Sequence, residues 1–172
     1  LRPLNGIQTY RMEGGFPMQA TGGLKVNEFW RPLLTNLLIE SVKADDGILI
    51  YLDTEEFRSL FNWKRVVEEV QVIEPKFQVL KNGRITTQAV WAKSCRGAMA
   101  RYIIEERITN PFQLANFNHC GFSLSDSQEN SSTLHALSLG HELSLGQAPN
   151  KEHPQQLAPQ VLHLHFVAEN PQ

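Results

Sequence analysis

The chain has 172 residues, of which 41% are hydrophobic and 20% are charged, and its formal net charge is −2. These values are ordinary for a globular domain that buries a substantial core. Sequence-independent binding to nucleic acid phosphates normally needs a basic surplus, so this charge excludes a uniformly cationic surface and leaves only a local patch for such contacts.

The sequence contains neither a recognisable targeting signal nor a membrane-spanning stretch. Its longest apolar runs, such as Gly47–Leu52, are strand-sized, whereas a transmembrane helix needs about 18 apolar residues or more. Cys95 and Cys120 are too few for a disulfide framework. We therefore expect a cytoplasmic protein without a membrane partner, and a monomer.

The first predicted helix runs from about Asn27 to Lys43. Apolar residues recur within it at a spacing of three to four, which gives the helix one face to bury. Asn27 can cap its first turn. The short apolar run Ile48–Leu52 then predicts a buried strand, and Thr54 with the acidic pair after it predicts the start of another helix.

A β-hairpin within Val72–Trp91 is the clearest local prediction. Asn82 and Gly83 lie between two β-prone stretches, and both accept the positive φ of a type I′ turn. Pro75 is expected to break the first strand, and Ile85–Trp91 is the predicted return strand.

The sequence after the hairpin predicts a longer helix over Ala92–Arg107, capped by Ser94. A helical turn at Pro111–Leu114 and an edge strand at Cys120–Leu124 follow it. Together these elements predict a mixed α/β (α+β) domain over residues 1–125, in which a hairpin-containing sheet packs with several helices.

Residues 126–172 have a different composition. The segment Ser125–Ser132 is polar, a repeated Leu-Ser-Leu-Gly sequence follows, and residues 148–160 are rich in Pro, Gln and Asn. Such a segment has too little apolar pattern to offset the entropy that is lost on ordering. We expect a low-complexity, poorly ordered tail that contains one late strand at Val161–Val167.

The predicted helix Ala92–Arg107 carries a group of cations. Lys93, Arg96 and Arg107 fall within about 60° of one another around the helix axis, and Arg101 lies about 80° from Lys93. Convergent cations favour a phosphate or a nucleic acid backbone as ligand, through bidentate guanidinium contacts. The alternative is a solvated face whose charge is balanced by nearby glutamates.

Gly97 and Cys95 of this helix, and Glu56 earlier in the chain, each have a functional and a structural interpretation. Gly97 costs about 1 kcal/mol relative to alanine in mid-helix, which suggests close approach of another backbone or of a ligand. Cys95 lies between two cations, which can lower a thiol pKa, but a buried apolar role is the stronger interpretation. Glu56 fits a helix start better than a catalytic base.

Signatures of metal, cofactor and catalytic sites are missing from the sequence. His163 and His165 would share a strand face, but no third ligand is near them in the sequence. No phosphate-binding loop, dinucleotide fingerprint, nucleophile elbow or Cys-x-x-Cys motif occurs. We therefore predict no metal, no cofactor and no catalytic residue.

Five blocks of the sequence, in consistent order, resemble the YaaA family of peroxide stress proteins. They are Leu1–Glu13, Glu28–Val42, Asp45–Arg65, Pro75–Arg84 and Ala92–Leu114, the last being the most specific. With Gly121-Phe122 after them, they cover the chain from its first residue to about position 122. The resemblance implies the C-terminal part of a YaaA-like fold, in which the family's N-terminal segment is lacking.

The resemblance also implies a function. Members of the family limit damage from hydrogen peroxide by lowering unincorporated iron, and a representative is associated with DNA binding through a basic cleft. On this chain the family's pattern implies four residues that bind DNA or another anion: Arg11, Lys93, Arg96 and Arg101. It implies four more that line the cleft: Tyr10, Trp30, Glu56 and Gly97.

The sequence departs from the family's pattern at three places. Tyr51-Leu52-Asp53-Thr54 ends a strand where the family has an Asn-Leu-Ala-Ser type sequence. A Ser-Pro-Ala-Lys type motif is absent, and the repetitive tail replaces the closing aromatic strand after Phe122. Without the N-terminal segment, sheet edges or core faces are expected to be exposed.

Three hypotheses about function follow from these patterns. The first is a stress-response DNA-binding protein in which Lys93, Arg96 and Arg101 contact phosphates. The second is an enzyme that holds a phosphate- or carboxylate-bearing ligand in the same cleft, with Glu56 as acid or base near Arg96 or Arg101. The third is a truncated product without activity of its own.

Overall fold

The computed structural model of the chain describes residues 15, 17–19, 22–146, 161–169 and 171, and for residues 138–146 it describes the backbone alone. Along the chain the elements are α1 (Val26–Ala44), β1 (Ile48–Ile50), α2 (Glu55–Arg58), α3 (Trp63–Glu69), β2 (Gln71–Lys81), β3 (Arg84–Thr86), α4 (Ala89–Glu105), a 3₁₀ helix (Pro111–Asn116), β4 (Ser123–Leu124), α5 (Gln128–Gly146) and β5 (Val161–Ala168).

The described strands form one mixed sheet in the order β1-β2-β5-β4, and β3 pairs with β2 outside this path. β2 is parallel to β1 and β5 and antiparallel to β3, while β4 is antiparallel to β5. Helices pack on this sheet, so the predicted mixed α/β (α+β) fold with a hairpin-containing sheet is confirmed.

The hairpin between β2 and β3 forms where the sequence predicted it. Asn82 and Gly83 have φ values of 52° and 71°, which are the two positive values that a type I′ turn requires. The return strand is shorter than predicted, because the chain leaves the sheet after Thr86 and enters α4 at Ala89. Ser94 therefore lies inside this helix, and Gln88 precedes its first turn.

Pro75 does not break β2, contrary to the sequence-based prediction. The strand is continuous over Gln71–Lys81, and Pro75 pairs with Leu164 of β5 in the register. The N–H of Tyr51 donates to the carbonyl oxygen of Ile73, so the backbone groups of residues 73 and 75 point towards β1. Because β1 ends at Ile50, the N–H that proline lacks would have had no strand partner there.

One face of the sheet carries the larger hydrophobic core. Side chains alternate across each strand, so Ile73 and Phe77 of β2 lie on the same face as Leu164 and Phe166 of β5. These four side chains are at most 3% exposed. They pack with the buried side of α4, formed by Ala92, Cys95 and Met99.

The opposite face of the sheet carries a smaller core. Val72 of β2 packs there with Tyr51, which follows β1, and with Ile39 of α1 and Val66 of α3. The helices α1 and α3 therefore lie on one side of the sheet and α4 lies on the other side. This division decides which of the predicted functional residues can meet.

Two elements of the described structure come from residues 126–172, of which residues 147–160 lie outside the described ranges. Of the segment predicted as poorly ordered, residues 128–146 form α5 and residues 161–168 form β5. β5 lies between β2 and β4 inside the sheet, so the late strand predicted at Val161–Val167 is confirmed in a more central place. β5 also pairs with β4. β4 directly follows Phe122, after which the closing strand of the family was expected to be lost.

Asn130 of α5 continues the hydrogen bonding of β5 beyond the end of β4. Its Oδ1 accepts from the N–H of His165 at 2.7 Å, and its Nδ2 donates to the carbonyl oxygen of the same residue at 3.0 Å. Asn130 is 1% exposed. One side-chain amide thus takes the place of a strand residue and supplies the acceptor for the N–H of His165, while the carbonyl oxygen of His165 also accepts from the N–H of Ser125 at 2.9 Å.

Candidate functional site

The cations of α4 lie on the side of the helix that faces away from the core. Lys93 and Arg101 are exposed and Arg96 is half-buried, since Ala92, Cys95 and Met99 occupy the inward side. Gly97 is exposed too, and a Cβ built on it would meet no atom within 4 Å. No other part of the described chain therefore packs closely against Gly97, so the predicted close approach of another backbone is not found there.

Lys93 and Arg96 are the two cations of α4 that are available to bind an anion. Arg101 has a salt bridge to Glu105, with a distance of 3.6 Å between nitrogen and oxygen and both side chains mostly exposed; such a pair contributes about 0.5 kcal/mol. Among the described residues, neither Lys93 nor Arg96 has an ion pair. Arg107 does not join them as predicted, because α4 ends at Glu105 and Arg107 has a φ of 50°.

The hairpin adds cations directly before α4. Lys81 and Arg84 flank its turn and are exposed, and only residues 87 and 88 separate β3 from α4. Between positions 75 and 104 the sequence has six Lys and Arg residues and no Asp or Glu. We call the turn between β2 and β3, from Lys81 to Arg84, together with α4 the cationic hairpin–helix unit. An acid-free run of this length was the sequence signal that could have extended the predicted site to the hairpin.

The other predicted cleft residues do not meet this unit. Trp30 belongs to α1 and Glu56 to α2, and the core that α1 shares lies on the opposite face of the sheet from α4. Tyr10 and Arg11 lie outside the described residues. The part of the chain that the structure describes thus separates Trp30 from the cations that were predicted to share a cleft with it.

Glu56 is exposed in the first turn of α2, and its carbonyl oxygen accepts hydrogen bonds from the backbone and side chain of Ser59. This position confirms its interpretation as a helix-start residue. The enzyme hypothesis required Glu56 in a deep pocket beside Arg96 or Arg101, and the exposed position of this carboxylate contradicts that requirement.

The structure reveals a second polar cluster, around Arg58, that the sequence did not predict. Its guanidinium carbon lies 4.7 Å from the ring centroid of Trp63 and 5.1 Å from that of Tyr51. These two ring centroids are themselves 4.6 Å apart, so the cation packs against both rings rather than between them. Its terminal nitrogens bind the carboxylates of Glu55 at 2.9 Å and Glu74 at 2.8 Å. The ring of Tyr51, where the sequence analysis predicted a departure from the family's pattern, supports this arginine.

Glu74 is the anionic centre of this cluster. Its side chain is 10% exposed and accepts from Lys76 at 2.6 Å, and the Nδ1 atom of His163 lies 3.7 Å away. Burial acts to raise the pKa of Glu74, but Lys76 and Arg58 together hold it below its usual value. Burial and Lys76 lower the pKa of His163, so this imidazole stays neutral at neutral pH.

An open depression with a volume of about 730 Å³ lies beside this cluster. Its lining residues come from α1, from α2 and from the segment that leads into α3; they are Arg31, Glu55, Arg58, Ser59, Phe61, Asn62 and Trp63. Arg31 is fixed through its Nε, which donates to the carbonyl oxygen of Ser59 at 3.0 Å. The charges at this wall are largely paired, so it is a weaker anion site than α4.

Cys95 is completely buried, and burial, with a smaller contribution from Cys120, raises its pKa to about 11. The predicted apolar role is therefore confirmed. At pH 8 we expect Cys120 to react with an alkylating reagent and Cys95 to react only after denaturation, since the thiolate is the nucleophile. Mass spectrometry of the modified peptides measures this difference, and a Cys120→Ser variant that is still labelled in its native state would contradict it.

Within the described ranges, no group of three or more His, Cys, Asp or Glu residues is arranged to hold a metal ion. The helices of the same ranges include none that is long and apolar enough to cross a membrane.

Comparison with known proteins identifies the lineage of this chain. Residues 1–128 match the model of a family described as peroxide stress protein YaaA. A UPF0246 protein of Phocaeicola vulgatus is 50% identical over 123 residues, which cover 72% of this chain and 48% of the relative. A UPF0246 protein of Bacteroides fragilis is 42% identical (73% and 49% covered), and one of Neisseria meningitidis is 37% identical (77% and 51% covered). The chain spans about half the length of the curated relatives that it matches.

Proposed function

The chain belongs to the YaaA family of peroxide stress proteins, and we propose that within this family it binds nucleic acid phosphates through the cationic hairpin–helix unit and limits peroxide damage that is linked to free iron. Lys93 and Arg96 are the centre of the proposed surface. Neither has an ion pair among the described residues, and the open space at Gly97 lies beside them on the same helix.

The distribution of charge supports a local surface despite the net charge of −2. Residues 75–104 contain six cations and no acid, whereas the other positions carry ten cations and 18 acids. Lys76 is paired with Glu74, which leaves the other five cations for the proposed surface. One region therefore attracts phosphates while the remainder repels them, which orients the protein on a nucleic acid. Glycine at position 97 removes the side chain that would hold a sugar-phosphate backbone away from the helix.

We expect a Lys93→Gln/Arg96→Gln variant to bind duplex DNA more weakly than the unmodified chain. Each lost phosphate contact removes about 0.9 from the slope of log affinity against log salt concentration, so the slope falls by about 2. Fluorescence anisotropy with a labelled duplex at several salt concentrations measures both quantities.

A matched control removes the same charge from the α1 and α3 region. Lys25→Gln/Lys64→Gln replaces two exposed lysines outside the hairpin–helix unit. We expect this variant to keep the original slope. Equal slopes for the two double variants would show that the protein responds only to net charge and would refute the proposed surface.

The stress-related part of the proposal is tested in cells. In a bacterium whose own family member is deleted, expression of this chain should increase survival after hydrogen peroxide and decrease chelatable iron measured by electron paramagnetic resonance. The Lys93→Gln/Arg96→Gln variant separates the two activities, because loss of DNA affinity with unchanged iron levels assigns them to different surfaces. Unchanged survival and iron on expression of the unmodified chain would refute this part.

A further inference from the structure

The helix α1 carries large apolar side chains on the side that faces away from the sheet. Its inward side is formed by Thr35 and Ile39, which are 3% exposed or less. Its outward face consists of four side chains that are 40–57% exposed: Phe29, Trp30, Leu33 and Leu37. Exposed polar residues such as Glu28, Asn36 and Glu40 share the surface of this helix, and the four apolar side chains lack a partner within the described part of the chain.

The outward face is continuous along the helix. Phe29, Leu33 and Leu37 are spaced by four residues, so their side chains follow one another along the helix surface. The rings of Phe29 and Trp30 contact edge to face, with 5.2 Å between their centroids. Contiguous apolar surface of this kind marks an interaction site, whereas isolated exposed apolar residues need no explanation.

We propose that the outward face of α1 binds the half of the family's polypeptide that this chain does not match. The family match over residues 1–128 includes the whole of α1, while the chain covers only 48–51% of the relatives' own length. In those relatives the counterpart of α1 thus belongs to a protein about 1.5 times as long as this chain, since 123 residues are 48% of the first relative, and their unmatched half offers polypeptide to cover the face.

A second copy of the chain fits the outward face less well. A stable interface usually buries about 800 Å² on each partner, and this face is one helix stripe with four large side chains. A segment that also contacts other parts of the same fold does not depend on this stripe alone. The proposal does not depend on nucleic acid binding, because α1 and the hairpin–helix unit lie on different faces of the sheet.

The experiment compares one double substitution in two proteins. Leu33→Gln/Leu37→Gln in this chain should shift the midpoint of thermal unfolding by no more than about 2 °C, since both side chains are already exposed. Glutamines at the aligned positions of the Phocaeicola vulgatus relative should lower its midpoint by about 10 °C, because there these side chains are buried against the additional half.

A matched control and a second measurement keep the proposal falsifiable. Val90→Gln/Ile104→Gln changes two exposed apolar residues of α4, and we expect its aligned counterpart in the relative to be less destabilising than the α1 substitution. Similar small shifts for the α1 substitution in both proteins would overturn the proposal. Analytical ultracentrifugation that shows a dimer of this chain, dissociated by Leu33→Gln/Leu37→Gln, would assign the face to a second copy and overturn it as well.

Discussion

Replacement of Phe166 by alanine is expected to lower the free energy of unfolding by about 3–5 kcal/mol. Phe166 is completely buried in β5, where it stacks on Phe77 with 5.4 Å between ring centroids and meets Phe117 edge to face at 5.6 Å. Removal of its ring leaves a cavity among aromatic side chains that are fixed by both neighbouring strands and the 3₁₀ helix. Urea unfolding followed by tryptophan fluorescence measures the change.

The control for this prediction is Phe112→Ala, which removes the same group from a side chain that is 44% exposed. We expect Phe112→Ala to cost much less than Phe166→Ala, because a half-exposed ring leaves no closed cavity. If the two substitutions cost the same, β5 would not be part of the core, and the tail would be attached as loosely as its composition suggests.

Arg58→Ala is expected to have the second largest effect on stability, about 3 kcal/mol. The substitution leaves Glu74 buried with one fewer partner and removes the guanidinium that packs against Tyr51 and Trp63. Loss of one member of a buried ion pair costs about 3–5 kcal/mol, and the lower end applies because Lys76 still binds Glu74. Chemical denaturation near neutral pH measures the loss.

Arg101→Ala is the matched control for Arg58→Ala. It also removes one guanidinium from an ion pair with a glutamate, but both partners are exposed, so we expect a cost of about 0.5 kcal/mol. Comparable losses for the two arginines would mean that the cluster around Glu74 is not buried in solution.

The same cluster predicts a pH dependence of stability. The pKa of Glu74 is lower in the folded protein than its ordinary value of 4.5, so its contribution to stability is present above about pH 4.5 and is lost as the pH falls through the lowered value. The lowered pKa of His163 acts in the same direction, starting below its ordinary value of 6.5. Because both residues oppose protonation, unfolding free energy should decrease on acidification.

Glu74→Gln isolates the part of this dependence that belongs to the carboxylate. Glutamine keeps the shape of the side chain but cannot titrate, so the variant should be less stable than the unmodified chain at pH 7. It should also lose less stability between pH 5 and pH 3, a window set by the ordinary glutamate pKa of 4.5 and the lower pKa of Glu74 in the folded protein. Parallel curves for the two proteins over this window would contradict the role of Glu74.

Local structure followed the sequence closely where the signal was local. The positive φ values of Asn82 and Gly83 depend on the residues themselves, and the predicted turn is present. The helix predicted from apolar spacing over Asn27–Lys43 and the helix predicted over Ala92–Arg107 both end within a few residues of α1 and α4 as observed. The predicted ends at Asn27 and Ser94 were less accurate, because neither residue lies at the N-cap position.

The separation of Trp30 from the cations of α4 could not be predicted from local sequence patterns. Trp30 and Lys93 were grouped by a family pattern, and their positions on opposite sides of the sheet depend on how β1 and β2 alternate their side chains between the two cores. The Arg58 cluster was missed for the same reason. Glu74 and His163 are distant in sequence and meet only through the parallel register of β2 and β5.

The sequence by itself determined the family, the hairpin, the main helices and the cationic character of α4, because each depends on residues that are close together in the chain. The tertiary structure decided the role of the tail and the composition of the sites. The polar residues around β5 suggested disorder, yet a strand needs only one row of apolar side chains, such as Leu164 and Phe166, when neighbouring strands supply the remaining contacts. That contribution from distant residues is absent from any local pattern.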